Sequence, residues 1–266
     1  MSSAPSADRI WLRRLSNRTV PAAEPRARIV CFPHAGGSAR FFLPWVPLLP
    51  PSVELWAVQY PGRDDRIAHP LARSLEQLVL PVADLLTEWH RSPLVLFGHS
   101  LGATVAYEVA RVLRSRRPAA IQRLFVSGRT APSAHRPGTV HHYDDDRLAA
   151  ELARPGGTDP ELLADPGIRE LVLPVVRADF RLAETYRHRP GPQLTCPVTA
   201  FVGDGDPAAT PATTADWRDC TSGPFDLHVL PGDHFYLIPQ RAHLISRLLR
   251  HLEAPHPNLP TTVRGR

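Results

Sequence analysis

Three side chains, distant from one another along the chain, sit in local settings that suit a nucleophile and its proton relay: Ser100, Asp206 and His234. Ser100 is the middle of Gly98-His99-Ser100-Leu101-Gly102, a G-x-S-x-G pentapeptide preceded by the apolar run 94–97 and followed by small and apolar residues at helical spacing. A serine hydroxyl is a weak nucleophile, so it must be raised on a sharp turn, offered to a base and set beside donors that receive the developing oxyanion. Glycines at 98 and 102 leave the space such a turn requires, and Ser100 can then be held in a strained conformation.

The acid and the base follow later. Asp206 lies in Gly203-Asp204-Gly205-Asp206-Pro207, directly after the apolar run 197–202. An acid on a loop at a strand's C-terminal end can accept the histidine Nδ1–H and fix its tautomer. Pro207 stiffens position 206 for that role, whereas Asp204, the alternative, can simply make the turn. His234 follows the strand-like run 225–230 through Pro231-Gly232-Asp233, and the order Ser100, Asp206, His234 is the one expected behind a G-x-S-x-G turn. The other histidines fit less well. His34 is too early in the chain, His228 falls within a strand pattern, His243 lies on the closing helix, and His251 and His256 read as tail residues.

A donor for the oxyanion is expected from Pro33-His34-Ala35-Gly36-Gly37-Ser38-Ala39, because a glycine pair just after a strand lets backbone N–H groups approach a reacting centre. Ala35 is the candidate donor. Phe41, Phe42, Trp45 and Leu48 follow at helix-like spacing and mostly suit core packing. Phe41 and Phe42, with Phe235 beside His234, are the candidate contacts for an acyl chain.

These residues need a scaffold, and the chain alternates strand and helix patterns as such a scaffold demands. Strands are expected at 28–32, 54–58, 94–97, 121–127, 197–202 and 225–230. Leu75, Leu78, Val79, Val82, Leu85, Leu86 and Trp89 form a helical stripe fit to pack on a sheet, and 244–252 reads as the last helix. Between 134 and 193 the alternation stops: 144–152, 160–176 and 178–186 look helical and no strand can be drawn. A helical insertion of that size between two strands suggests a lid over the site. The expected fold is α/β, a mostly parallel central sheet flanked by helices, with core segments 1–133 and 194–254, a lid at 134–193 and a disordered Pro-rich tail at 255–266. The lead up to about residue 25 reads as a short strand or surface arm anchored by Ile10, Trp11 and Leu12.

Composition limits the alternatives. A chain of 266 residues, 43% hydrophobic and 21% charged, suits one large globular domain rather than a disordered or membrane-spanning chain. The net charge of +5 rests wholly on arginine, since lysine is absent; with 30 prolines, this fits a GC-rich coding sequence better than a nucleic-acid-binding surface. Exposed arginines can still steer an acidic partner. Cys31, Cys196 and Cys220 are few, odd in number and not at metal-ligand spacing, so no metal is expected. The N-terminus lacks the pattern of a secretory signal, and a cytoplasmic monomer that uses neither membrane nor nucleic acid is expected.

The motifs taken together resemble type II thioesterases, the external editing enzymes of polyketide and nonribosomal peptide synthesis, which belong to the α/β-hydrolase superfamily. FPHAGGSA at 32–39, PGRDDR at 61–66, GHSLGA at 98–103, SGRTAP at 127–132, LPVVRADF at 173–180, GDGDP at 203–207 and PGDHFYL at 231–237 carry the likeness over nearly the whole chain. The resemblance implies an α/β-hydrolase fold and hydrolysis of acyl groups from the phosphopantetheine arm of acyl or peptidyl carrier domains, with no cofactor of the enzyme's own. Position by position, it implies Ser100 as nucleophile, Asp206 as acid, His234 as base and the amides of Ala35 and Leu101 as the oxyanion hole. The family more often has Met at position 101; since the backbone N–H acts, little consequence is expected. The role of the run 177–180 stays open. Three other readings compete: a small-molecule esterase, a product-releasing thioesterase, and a non-catalytic synthase-binding protein on the same fold.

Overall fold

The computed structural model of the chain describes residues 10–16, 25–89, 94–117, 121–153 and 160–253. His256 and the tail expected at 255–266 lie outside them. Among the described residues seven strands form one sheet: β1 (Leu12–Arg14), β2 (Ala27–Phe32), β3 (Val53–Val58), β4 (Leu94–His99), β5 (Ile121–Ser127), β6 (Val198–Gly203) and β7 (Phe225–Leu230). Their spatial order is β1-β3-β2-β4-β5-β6-β7, with β1 antiparallel to β3 and every other pair parallel. This is the mostly parallel sheet of an α/β hydrolase. The arm expected in the lead is the edge strand β1.

The sheet is buried on both faces, which is why its inner strands read as near-continuous apolar runs. Alternation divides each strand between two cores. Val30 and Phe32 of β2 and Leu94 and Leu96 of β4 join one core with helices α1 (Glu76–Thr87) and α2 (Leu101–Arg116). Ile29, Cys31, Val95 and Phe97 point the other way, into a core closed by Phe42, Trp45 and helix α7 (Arg241–Glu253). Phe42 and Trp45 lie on a 3-10 helix, Ala39–Leu48, where Pro44 and Pro47 deny the backbone donors an α-helix needs. His251, read from sequence as a tail residue, lies inside α7, and its Nε2 is 3.0 Å from Nε2 of His228.

Between β5 and β6 come α3 (Asp145–Ala153), α4 (Pro160–Ala164) and α5 (Pro166–Thr185), and no strand occurs at 134–193 among the described residues. Asp165 caps α5 by accepting from Ile168 N–H, with Pro166 at the first helical position. Leu148, Leu173 and Val176 give this insertion a small apolar cluster of its own. A short helix α6 (Pro211–Ala215) follows β6. No helix among the described residues is long and apolar enough to cross a membrane.

Candidate active site

Ser100 stands between β4 and α2 at φ 55° and ψ −120°, a left-handed conformation that costs a non-glycine residue energy. The surroundings impose it. A Cβ at Gly98 would sit 2.2 Å from the Gly102 carbonyl oxygen, and one at Gly102 would sit 2.0 Å from that of Phe32, so strand end, helix start and β2 approach at a distance only glycine permits. The Ser100 N–H donates to Ser127 O at 2.8 Å, tying the turn to the end of β5.

The acid and base reach this strand end on two loops bonded to each other. Asp204 N–H donates to Leu230 O and Gly205 N–H to Gly232 O, each at 2.9 Å, and Gly232 N–H returns a bond to Asp204 Oδ1 at 2.9 Å. Asp204 therefore builds the junction. The side chain of Asp206 is fully enclosed; its Oδ1 accepts from the amides of Ala208 and Ala209 at 2.8 and 3.2 Å, and its Oδ2 lies 2.8 Å from His234 Nδ1. A carboxylate held this way fixes the ring so that Nε2 is the nitrogen left for a hydroxyl. Among the described residues the Ser100 hydroxyl has no hydrogen bond, and His234 is bonded through Nδ1 to Asp206.

Two amides near Ser100 are unengaged among the described residues. In the 33–39 loop Gly36 N–H donates to Asp179 Oδ2 at 2.8 Å, Gly37 N–H to His34 O at 3.0 Å and Ala39 N–H to Gln59 Oε1 at 3.0 Å. The N–H groups of Ala35 and of Leu101, the first residue of α2, have no acceptor among the described residues. Both can therefore serve an oxyanion, helped at Leu101 by the positive end of the helix dipole.

His34 is no second base. Burial first, then His234 and Arg63, lowers its pKa to about 3, and its ring packs edge-on against Phe41 at 4.6 Å and Phe235 at 4.9 Å between centroids. Phe41 and Phe235, each half-buried, thus stand together at the histidine side of the site. Phe42 does not join them. It is fully buried against Trp45 and Phe97, so the expectation of an acyl contact there gives way to core packing.

Sequence reasoning overlooked a buried hydrogen-bonded group of side chains beside His234. The His99 ring lies 4.9 Å from the His234 ring, its Nδ1 is 2.9 Å from Ser127 Oγ, and Ser127 Oγ is 2.6 Å from the Tyr236 hydroxyl. A hint existed in polar residues at strand ends that pattern alone assigns to the core. No group of three or more His, Cys, Asp or Glu among the described residues is placed to hold a metal.

Residues 27–254 match the thioesterase domain family. Thioesterase PikA5 of Streptomyces venezuelae is 46% identical over 245 residues, covering 91% of this chain and 85% of its own. Among solved structures, the type II thioesterase BorB of the borrelidin biosynthetic cluster superposes with a TM-score of 0.83 at 41% identity, covering 91% of this chain and 98% of its own. RedJ, the thioesterase of the prodiginine pathway in Streptomyces coelicolor, gives 0.79 at 39% identity, with 88% and 90% covered. A serine on a strained turn, a carboxylate–imidazole pair and two unengaged amides on an α/β-hydrolase sheet are thus accompanied by likeness along nearly the whole chain, which belongs to the thioesterase family and is a thioester hydrolase.

Proposed function

We propose that this enzyme uses Ser100 to hydrolyse acyl groups from the phosphopantetheine arm of acyl or peptidyl carrier proteins, and so clears stalled or misprimed units from a polyketide or nonribosomal peptide synthase. The observation that carries this reading is the 2.8 Å contact between buried Asp206 and His234, whose ring lies 4.9 Å from that of His99, the neighbour of Ser100. The likeness to type II thioesterases of biosynthetic clusters supports the substrate class.

His234 Nε2 takes the hydroxyl proton as Ser100 Oγ adds to the thioester carbonyl, and Asp206 steadies the imidazolium. The amides of Ala35 and Leu101 hold the tetrahedral oxyanion. Its collapse breaks the C–S bond, and the sulfur, whose thiol pKa is ordinarily ~8.5, leaves readily and takes up the proton held by His234, which returns to its neutral form. Water then adds to the acyl-serine as His234 takes its proton, and collapse of the second tetrahedral intermediate returns that proton to Ser100 Oγ and releases the carboxylic acid. The helices at 134–193 cover this chemistry as a lid, and Phe41 and Phe235 border the acyl chain.

Intact-mass measurement of several acylated carrier proteins tests the proposal. The enzyme is expected to return each to the mass of the holo carrier with its arm retained, and S100A to leave the acyl mass in place. Deacylation by S100A at the native rate would remove the nucleophile assignment, and faster turnover of simple oxygen esters than of carrier thioesters would remove the substrate assignment.

A further inference from the structure

Two charged residues that the triad does not use are brought together out of water by the fold. Arg63, in the turn after β3, is 7% exposed and Asp179, on α5, is 3% exposed. Their contact is two-pronged: Nη1 of Arg63 donates to Oδ2 of Asp179 at 2.6 Å and Nη2 to Oδ1 at 3.0 Å. Nη1 also donates to the Gly37 carbonyl at 3.0 Å, and Asp179 Oδ2 accepts the Gly36 N–H at 2.8 Å. One buried guanidinium and one buried carboxylate thus grip adjacent peptide groups of the loop that carries Ala35.

The loop's hydrogen bonds give that grip its consequence. With Gly36 N–H on Asp179 and Gly37 N–H on His34 O, the Ala35 N–H is left without an acceptor among the described residues. Freed of Asp179, the Gly36 N–H would become a competing donor and the peptides on either side of it could rotate. The helix face closes down at the same point. Gly36 has φ 77°, and a Cβ there would lie 2.7 Å from Cγ2 of Val176, which is three residues before Asp179 and on the same side of α5.

We propose that Arg63 and Asp179 are positioning residues for thioester hydrolysis, locking the 33–39 loop so that the Ala35 N–H meets the oxyanion. The inference rests on Ala35 being an oxyanion donor, as proposed above. A donor aimed at charge that exists only in the transition state changes kcat, while ground-state binding of the thioester, and hence KM, is indifferent to it.

The test compares D179A, which removes the acceptor of Gly36 N–H, with D179N, which keeps an oxygen there, and with R63K, which keeps the charge but loses the fork. Hydrolysis of hexanoyl-N-acetylcysteamine is measured, a thioester without a carrier, so failure of carrier recognition cannot be mistaken for failure of the clamp. Expected for D179A is a kcat about 10²-fold lower with KM within about threefold, and smaller losses for D179N and R63K. Affinity for an alkylboronic acid, which forms a tetrahedral adduct on Ser100, is expected to fall in proportion to kcat/KM. The rate of Ser100 phosphonylation by a fluorophosphonate is expected to follow the same order. Circular dichroism and melting temperature identify folded variants, and D179N and R63K carry the comparison if D179A does not fold. Folded variants with lowered melting temperature and native kcat would overturn the proposal, as would a loss confined to KM.

Discussion

Asp206 and His234 meet across two loops that are hydrogen-bonded to each other, with Oδ2 of Asp206 2.8 Å from Nδ1 of His234 and the other carboxylate oxygen taken by two backbone amides. Three hydrogen bonds thus hold the carboxylate in one orientation. On the proposed mechanism D206N keeps the shape and removes the charge that would steady the imidazolium, so kcat for thioester hydrolysis is expected to fall about 10³- to 10⁴-fold. D204N keeps an oxygen for Gly232 N–H and is expected to stay within about threefold of the native rate. Steady-state kinetics of the two variants side by side checks both, and equal losses would deny the distinction between them.

Much of the frame was legible: 121–127, buried over nearly its whole length, and the edge strand 225–230, apolar at alternate positions, are the strands observed. The three residues proposed as a triad stand out in sequence because each sits just past a strand end, where loop composition marks it. Asp179 does not, since a carboxylate among Leu173, Val176 and Ala183 looks from sequence like a polar interruption of a helix face. Its partner is 116 residues away, and only the fold joins them. The assignment of Phe42 failed for the opposite reason. Neighbouring aromatics on a 3-10 turn point in different directions, and periodicity cannot say which one meets the core.

Phe42 and Phe235 give different expectations. F42A empties a fully buried site between Trp45 and Phe97 and is expected to cost about 3–5 kcal/mol of folding free energy, measured by urea unfolding. F235A removes a half-buried ring beside His34 and His234 and is expected instead to raise KM for long acyl thioesters more than for acetyl. Loss of stability in F235A with unchanged chain-length dependence would count against its place at the acyl chain.

Ser127 joins His99 Nδ1 and the Tyr236 hydroxyl in a region closed to water. S127A leaves both groups buried without that partner, and His99 Nε2 has none among the described residues already. A loss of about 1–3 kcal/mol in unfolding free energy is expected. Ser127→Thr keeps the hydroxyl and tests whether the bond or the space matters; equal stability of the alanine variant and the native enzyme would show that these hydrogen bonds contribute nothing to folding.

Acid stability follows from the histidines the fold holds neutral. Burial is the foremost cause in each: His34 is lowered to about 3, His228 to about 4 and His99 well below its ordinary 6.5. For His228 the next causes are Arg247, 3.2 Å from its Nδ1, and His251; Asp226 opposes them and Arg250 adds a smaller push downward. Below about pH 6.5 the unfolded chain binds protons that the folded chain refuses, so stability rises with pH in this window and is lost as pH falls. Each such histidine adds a slope of about 1.4 kcal/mol per pH unit until its folded pKa is reached. His228 lies away from the triad, so H228Q isolates one contribution: its unfolding free energy, measured by urea titration between pH 6.5 and 4, is expected to fall less steeply than that of the native enzyme by about one proton's worth. Parallel curves would mean that His228 titrates alike in both states, and the lowered pKa would have to be abandoned.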